Sequence, residues 1–338
     1  MKEYTITHSD SGQRSDKYLM RILPAASKGF IYKMIRKKNI ILNDKRMTGN
    51  EILSENDIIK LWLSDETIDK FSQKITDNTE DYVSAYEKIG GSVELIYEDE
   101  DFAILNKPAG LLSQRSDPSD LSLNDWFIGY LIKSHPNTDI MKNCKPSIVN
   151  RLDRNTSGLV LAAKTVYGLN TLSQMVRVRD ITKLYLTYVI GNMTGSGILE
   201  GYLHKNEELN KVNIIDVSTY NSLNEEQKAD YSYIKTGYNV LNHFLLGDID
   251  ITQVMVDLIT GRSHQIRAHM ASVGYPLLGD DKYGNSNINK RFGLTHQLLH
   301  AYEMNFPENN ALGKLSGRNI TCLHGNPEVF EALSSKNW

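Results

Sequence analysis

The chain has 338 residues, of which 40% are hydrophobic and 23% charged, and its formal net charge at pH 7 is −3. The length predicts about two domains. The composition predicts a sizeable core and argues against wholesale disorder. Two cysteines, Cys144 and Cys322, are too few for a disulfide scaffold, and apolar runs such as Leu159 to Ala163 are far shorter than a membrane span of roughly 20 residues. The polar stretch from Met1 to Asp16 lacks the apolar region of a secretion signal. We therefore expect a cytoplasmic protein that is neither secreted nor bound to a membrane.

Charge is distributed unevenly along the chain, and this predicts the first domain boundary. The segment from Arg14 to Lys60 has a local net charge of +6, whereas the segment from Asp65 to Asp101 has a local net charge of −9. Periodicity is poor and polarity high after residue 65, and a glycine pair closes the stretch at Gly90-Gly91. We predict a small domain over residues 12–64, an acidic linker over residues 65–90 and a larger domain over residues 91–338.

The first of these domains is predicted to contain two helices followed by short strands. Apolar residues between Asp16 and Leu23 fall on one helical face, and Ser27 has the position of an N-cap before a second helix. Strands are predicted at Ile40 to Leu42 and at Ile58 to Leu63. The polar side of the second helix and its C-terminal end are basic and carry Lys28, Lys33, Arg36, Lys37 and Lys38.

This helix pair with its basic second helix resembles the S4-like RNA-binding domain, named after a ribosomal small-subunit protein. The resemblance implies that the five cations contact RNA phosphates, which position a protein on RNA without reading the base sequence. An ordinary solvated helix face is the alternative interpretation of the same five residues.

The larger domain mixes strands and helices without regular alternation, so we expect an α+β fold on a mostly antiparallel mixed sheet. Turn residues occupy Asn106 to Gly110. The predicted strands are Val93 to Tyr97, Phe102 to Leu105, Leu159 to Ala163, Leu184 to Ile190 and Val254 to Ile259, the first two of them paired. The predicted helices are Leu121 to Lys133, Val166 to Val176 and Ser263 to Ser272, the last with Ser263 as its cap.

The most informative stretch runs from Asn150 to Leu161 and reads NRLDRNTSGLVL. It predicts a polar loop that leads into a strand, with Asp153 between Arg151 and Arg154. Taken alone it would be a turn with surface ion pairs, each worth about 0 to 1 kcal/mol. Three further motifs accompany it in order along the chain: NKPAG at 106–110, KLYLTYVIG at 183–191, and LITGRSHQIRAH at 258–269, the last followed by PLLGD and YG.

These ordered motifs resemble the RluA-type family of ribosomal large-subunit RNA pseudouridine synthases, and an S4-like front end is a common companion in that family. The resemblance implies that Asp153 is the catalytic aspartate, Tyr185 the active-site tyrosine and Arg267 the basic residue that pairs with the aspartate. It implies that Arg151 fills the gap left by a flipped base. Arg154 and His264 are expected to contact RNA, and Asn150 departs from the histidine that many family members have there.

The chemistry of this family accounts for these residue types. Forming pseudouridine breaks the N1–C1′ bond of uridine, turns the uracil, forms a C5–C1′ bond and removes the C5 proton, with no expected cofactor or metal. A single carboxylate in a closed pocket suits an isomerase that excludes water, whereas glycoside hydrolases use two carboxylates. Asp153 would attack C1′ or deprotonate the ribose. Tyr185 would stack on the extruded base for roughly 1 to 3 kcal/mol, and its hydroxyl would help to remove the C5 proton.

Two alternatives remain open from the sequence. One is the same chemistry on transfer RNA or small-subunit ribosomal RNA, because the related small-subunit synthases also combine an S4-like domain with an Arg-Leu-Asp core. The other is a catalytically inert RNA-binding or ribosome-assembly protein. The expected partner is large-subunit ribosomal RNA, before or during ribosome assembly, and the expected state is a monomer. His264 and His269 are five residues apart, which does not match the spacing of a helical zinc pair.

Overall fold

The computed structural model describes residues 1–72, 79–136, 141, 144–208 and 211–322. Its helices begin mostly where the sequence supplies a capping side chain: Ser27, Ser122 and Thr165 each accept a hydrogen bond from a backbone N–H of the first turn. The helices are α1 (Ser15–Ile22), α2 (Lys28–Arg36), α3 (Asp65–Phe71), α4 (Thr79–Ile89), α5 (Leu123–Ser134), α6 (Val166–Val178), α7 (Val217–Ser222), α8 (Glu225–Lys228), α9 (Gln265–Ser272) and α10 (Ser286–Arg291).

Fifteen strands are assigned within the described residues, and they form two separate sheets. They are β1 (Lys2–Thr5), β2 (Ile40–Leu42), β3 (Lys45–Arg46), β4 (Ile58–Leu61), β5 (Glu94–Glu98), β6 (Phe102–Lys107), β7 (Ser147–Ile148), β8 (Ser157–Ala163), β9 (Thr182–Ile190), β10 (Ser196–Asn206), β11 (Lys211–Ile215), β12 (Tyr231–Leu246), β13 (Ile249–Asp257), β14 (Leu299–Asn305) and β15 (Asn319–Thr321).

The smaller sheet lies in the N-terminal domain and has the antiparallel order β1-β4-β2-β3. Its core is formed by the apolar faces of α1 and α2, which bury Leu19, Ile31 and Ile35 against Ile59 and Leu61 of β4. The two helices and the strands at 40–42 and 58–63 are therefore confirmed as elements. Strand β1 was not predicted, because its residues are almost entirely exposed and alternate little in polarity.

The larger sheet has eleven described strands, ordered β11-β10-β12-β13-β9-β14-β8-β6-β5, with β15 beside β14 and β7 beside β8. The β14–β8 pair is parallel and the other pairs are antiparallel, which confirms the α+β class and the mostly antiparallel mixed sheet. Gly158 is required at the parallel pair, since a Cβ there would lie 2.3 Å from the carbonyl oxygen of Ala301 and its φ is +109°.

Helices cover both faces of the larger sheet because its central strands are apolar on both sides. On β6, Leu105 faces the cluster that contains Trp126 and Phe127 of α5. The alternate residue Ile104 faces the opposite cluster, which contains Leu172 of α6. This period-two alternation creates a three-layer core in which the strands beside β6 and β8 are rigidly placed.

Residues 65–90, which the sequence predicts to be an acidic linker, include two helices, α3 and α4. Helix α3 buries Ile68 in the core of the N-terminal domain. Helix α4 packs against α5, where Gly129 allows the backbone carbonyl of Tyr82 to approach closely. The apolar residues of α4 are three or four positions apart, but the high charge of the segment hid this spacing. Residues 73–78 lie outside the described part of the chain.

Candidate active site

A cleft of about 1360 Å³ opens over the ends of the central strands of the larger sheet. Ten lysine and arginine side chains line it, against three aspartates, although the whole chain has a net charge of −3. Opposite charge concentrated in a cleft raises the local concentration of an anionic ligand. The cleft therefore has the electrostatic character needed for a polyanion such as RNA.

Asp153 lies in the loop between β7 and β8 and is held there by its neighbours in the chain. The hydroxyl of Ser113 donates to the carbonyl of Leu152 at 2.8 Å and accepts from the N–H of Leu152 at 3.0 Å. The side-chain oxygen of Asn150 accepts a 2.7 Å hydrogen bond from the N–H of Leu161 on β8. Asn150 thus fixes the start of this loop through a backbone hydrogen bond.

Lys107 anchors the same loop from beneath. Its ammonium is fully buried and donates to the carbonyl oxygens of Pro108, Leu111 and Arg154 at 2.9, 2.8 and 2.8 Å. Burial lowers the pKa of Lys107 to about 7, and Asp153 opposes this shift. We assign the ammonium form, because only three N–H donors can satisfy all three carbonyls. Lys107 therefore ties the segment that follows β6 to the Asp153 loop.

Arg267, on α9, is brought to Asp153 by a second carboxylate. Asp280 is fully buried and binds the guanidinium through two hydrogen bonds, Oδ2 to Nε at 2.6 Å and Oδ1 to Nη2 at 3.0 Å. The remaining Nη1 lies 3.2 Å from Oδ2 of Asp153. Burial acts to lower the pKa of Arg267, but its hydrogen bonds with Asp280 and the charge of both carboxylates outweigh this and raise it. The guanidinium is a fixed cation.

Tyr185, on β9, completes the inner wall of the cleft. Its strand neighbours are Val256 of β13 and Ala301 of β14, and its side chain is 4% exposed. Burial and then the negative charge of Asp153 raise the pKa of its hydroxyl, so the phenol is neutral at ordinary pH. Asp153, Tyr185 and Arg267, which the sequence placed in one site, lie on a single cleft.

The start of α9 differs from the predicted cap. The N-cap is His264, in a left-handed conformation with φ of +55° and no side-chain cap, so the expectation that Ser263 caps the helix is wrong. The side chain of Gln265 fixes this turn instead, accepting from Thr260 Oγ1 at 2.9 Å and from the N–H of Arg262 at 3.1 Å. A left-handed backbone costs a non-glycine residue about 1 to 2 kcal/mol. Here it places Nε2 of His264 3.9 Å from Oδ2 of Asp153.

The predicted RNA-contacting residues divide into two groups. Arg151 and Arg154 are exposed and line the cleft beside Asp153, and His264 lines it from α9. The predicted RNA-contacting cations of α2 and of the two residues after it are exposed as well, but they lie outside the cleft lining. These five are Lys28, Lys33, Arg36, Lys37 and Lys38.

Two residues of the site have no assigned role in the sequence analysis, Asp280 and Tyr283. Both belong to the quoted PLLGD and YG segments, so the motif contained them without indicating what they do. Nothing in the local pattern shows that Asp280 is buried, because an aspartate after glycine predicts a turn. Among the described residues, no group of three or more His, Cys, Asp or Glu side chains is placed to bind a metal ion.

Comparison with known proteins places this geometry in a family. Residues 101–272 match the family described as RNA pseudouridylate synthase. "Ribosomal large subunit pseudouridine synthase C" of Haemophilus influenzae is 30% identical over 337 residues, covering 98% of this chain and 95% of the relative. "Ribosomal large subunit pseudouridine synthase D" of Buchnera aphidicola is 30% identical over 315 residues, covering 88% and 86%.

Solved structures support the same fold. The human protein RNA Pseudouridylate Synthase Domain Containing 4 superposes with a TM-score of 0.53 at 20% identity, covering 72% of this chain and 92% of that one. The human protein RNA Pseudouridylate Synthase Domain Containing 1 gives a TM-score of 0.50 at 20% identity, covering 73% and 97%. The chain belongs to the RNA pseudouridylate synthase family, whose members are isomerases that convert uridine in RNA to pseudouridine.

Proposed function

We propose that this protein isomerises specific uridines of large-subunit ribosomal RNA and that Asp153 is its catalytic residue. The observation that carries the proposal is the arrangement at the base of the cleft. There a buried Arg267, clamped by Asp280, holds one oxygen of Asp153 beside the buried phenol of Tyr185. The names of the relatives from Haemophilus influenzae and Buchnera aphidicola support the choice of large-subunit ribosomal RNA.

Asp153 lies beside a fixed cation. Its side chain is 28% exposed, and the guanidinium of Arg267 is 3.2 Å from its Oδ2. A carboxylate here would attack C1′ or remove a ribose proton. Either step leads to cleavage of the N1–C1′ bond, rotation of the uracil and formation of the C5–C1′ bond. The C5 proton then leaves and N1, which has lost its bond to the ribose, takes up a proton, so the product is an isomer of the substrate.

The target base would have to leave the folded RNA to reach Asp153, and a recess beside this residue supports that step. A recess of about 60 Å³ lies between Asp153 and Tyr185, with an apolar floor of Leu258, Ile266 and Leu299. Apolar side chains and a tyrosine ring suit the faces of a flat base, and stacking of this kind contributes roughly 1 to 3 kcal/mol per base. Arg151 is exposed and also lines this recess, and it would occupy the gap that the base leaves.

RNA outside the recess would follow the basic surfaces. The cations of the cleft attract phosphates close to Asp153, and the N-terminal domain, which we propose to be S4-like, adds the exposed cations of α2 and of the two residues that follow it. No helix in the described ranges has the length and apolar character of a membrane span. We further propose that the protein acts in the cytoplasm as a monomer, before or during ribosome assembly.

Mapping pseudouridines in cells tests the substrate. Large-subunit, small-subunit and transfer RNA are compared between cells without the gene and the same cells complemented with the parent or with Asp153→Asn. The proposal expects one or more large-subunit positions to be lost without the gene and restored by the parent alone. Loss confined to transfer RNA or small-subunit RNA would contradict the substrate. Restoration by Asp153→Asn would contradict the role of Asp153.

A further inference from the structure

His264 is linked to the edge of the larger sheet through Tyr283. The hydroxyl oxygen of Tyr283 accepts a 2.9 Å hydrogen bond from the N–H of Val212 on β11 and lies 2.9 Å from Nδ1 of His264. Because Val212 is the donor in the first contact, the single hydroxyl proton of Tyr283 is available for Nδ1. The guanidinium of Arg267 lies 5.4 Å from the centre of the Tyr283 ring and fixes its orientation.

The protonation state of His264 follows from its surroundings. Burial lowers its pKa, the positive charges of Arg267 and Lys282 lower it further, and Asp153 and Asp280 oppose the shift. The imidazole is therefore neutral at pH 7 and carries one N–H. With Nδ1 accepting from Tyr283, that N–H is on Nε2, which is the nitrogen that lies 3.9 Å from Oδ2 of Asp153.

The two oxygens of Asp153 differ in their contacts. Oδ2 has Arg267 Nη1 at 3.2 Å and His264 Nε2 at 3.9 Å, whereas no hydrogen bond to Oδ1 is found within the described ranges of the chain. A separation of 3.9 Å is too long for a hydrogen bond, but such contacts in active sites commonly tighten when substrate binds.

We infer that His264 is a positioning residue for Asp153, which Tyr283 holds in the tautomer that donates from Nε2 to the oxygen already bound by Arg267. Two donors on Oδ2 fix the carboxylate plane and leave Oδ1 facing the substrate. No covalent step passes through His264. The inference rests on the proposed role of Asp153 and goes beyond it, since it assigns a function to His264 and Tyr283 and distinguishes the two carboxylate oxygens.

The tautomer is measured directly by nitrogen NMR of the full-length protein labelled in its histidines. Long-range correlations of the His264 ring at pH 7 should show a protonated Nε2 and an unprotonated Nδ1. Tyr283→Phe removes the donor to Nδ1, so the His264 signals should shift toward a mixture of both tautomers. A parent protein with the proton on Nδ1 would overturn the inference, and so would unchanged tautomer signals in Tyr283→Phe.

Kinetics separate positioning from simple RNA contact. In steady-state tritium release from C5-labelled ribosomal RNA, His264→Ala should lower kcat by about tenfold, the loss expected for one hydrogen bond, and leave KM within about twofold. His264→Gln retains an N–H donor at the place of Nε2 and should recover most of the rate. A raised KM with parental kcat in His264→Ala would overturn the positioning role of His264. A rate that does not recover in His264→Gln would overturn it as well.

Asp153→Asn in the same assay distinguishes the positioning role of His264 from the catalytic role proposed for Asp153. If Asp153→Asn is inactive and His264→Ala keeps the parental kcat, only the positioning role fails. If Asp153→Asn turns over, the assignment of Asp153 itself fails, and the assigned role of His264 fails with it.

Discussion

Tyr185 contributes both a ring and a hydroxyl to the cleft, and the two contributions are separable. The ring is packed into the main core cluster and forms a wall of the recess beside Asp153. The hydroxyl has a raised pKa and is a weak acid in the folded protein. A neutral phenol at this position can stack on a base and can also take part in moving the C5 proton.

Tyr185→Phe tests the hydroxyl at nearly constant packing. We expect RNA affinity and thermal stability to remain close to those of the parent, while tritium release from C5-labelled RNA is strongly reduced. The matched control is Tyr188→Phe, a buried tyrosine of the same strand that does not line the cleft. Parental turnover in Tyr185→Phe would remove the hydroxyl from the mechanism and leave the ring as a stacking surface.

Truncation to alanine is less informative at this position. Tyr185→Ala would open a cavity in the core, and removal of a large buried aromatic side chain costs about 3 to 5 kcal/mol of stability. Loss of activity in that variant would therefore combine weaker stacking with partial unfolding. The comparison of Tyr185→Phe with Tyr188→Phe is free of this effect.

Helix α9 connects the site to the fold, and its buried His269 links stability to pH. The side chain is 2% exposed, Nδ1 lies 2.9 Å from the hydroxyl of Thr236, and burial lowers its pKa to about 4. In the unfolded chain the imidazole binds a proton below its ordinary pKa of 6.5. Between these two pKa values the unfolded state therefore binds more protons than the folded state. The contribution of His269 to the free energy of unfolding is complete above pH 6.5 and is lost as the pH falls toward about 4.

His269→Gln should remove most of this pH dependence. Between pH 7.5 and pH 4.5 we expect the free energy of unfolding of the parent to fall by about 2 to 3 kcal/mol more than that of the variant. Urea denaturation at the two pH values is the measurement. His135→Gln, a change at an exposed histidine, is the control and should behave like the parent. Equal pH dependence in His269→Gln and the parent would contradict the assignment.

The helices and strands that the sequence predicted are those whose apolar residues follow one strong periodicity. Helices α2, α5 and α6 and the pair β5–β6 are confirmed because their apolar residues recur at regular spacing next to capping or turn residues. The long strands β10 and β12 were not predicted. Their outer residues, such as Glu200 and Lys235, are charged, and only their pairing in the sheet makes Leu203 and Ile234 a core.

For the site, the sequence motifs indicated the candidate catalytic residues but not the residues that hold them in place. Asp153, Tyr185 and Arg267 carry the family resemblance, and the structure brings them to one cleft. The two hydrogen bonds that Arg267 donates to Asp280 depend on tertiary packing of the loop before α10 onto α9. No local sequence pattern encodes this packing. The same reason explains why the tie between Lys107 and the Asp153 loop was not predicted.

The two domains contact each other through polar groups and through the rings of His8 and Tyr167, whose centroids are 4.3 Å apart. His8 Nε2 lies 3.2 Å from Asp101, and the side chain of Asn170 donates to the carbonyl of Gly12 at 3.0 Å. Because the exposed cations of α2 lie outside the cleft lining, we expect the basic surface of α2 to add RNA affinity to that of the cleft without taking part in the chemistry.

Neutralising three lysines of the N-terminal domain tests whether this basic surface adds RNA affinity without taking part in the chemistry. The triple change of Lys33, Lys37 and Lys38 to Gln should weaken binding of ribosomal RNA fragments and leave single-turnover kcat unchanged. The slope of log K against log salt should flatten by roughly 0.7 per lost single-strand phosphate contact. The control changes the exposed Lys88, Lys290 and Lys314 to Gln. Identical salt slopes for the two triple variants would show that α2 presents an ordinary solvated face.

The activity of Asp153→Asn tests the proposed catalytic role of Asp153 most directly. This variant keeps the shape of the side chain and loses the anionic oxygen. Tritium release from C5-labelled large-subunit ribosomal RNA is measured beside RNA affinity and thermal unfolding, with Asp281→Asn, a change at an exposed aspartate of the same cleft, as control. We predict no release by Asp153→Asn, parental release by Asp281→Asn, and folding and RNA affinity close to the parent for both. Release by Asp153→Asn within about tenfold of the parent would contradict the account.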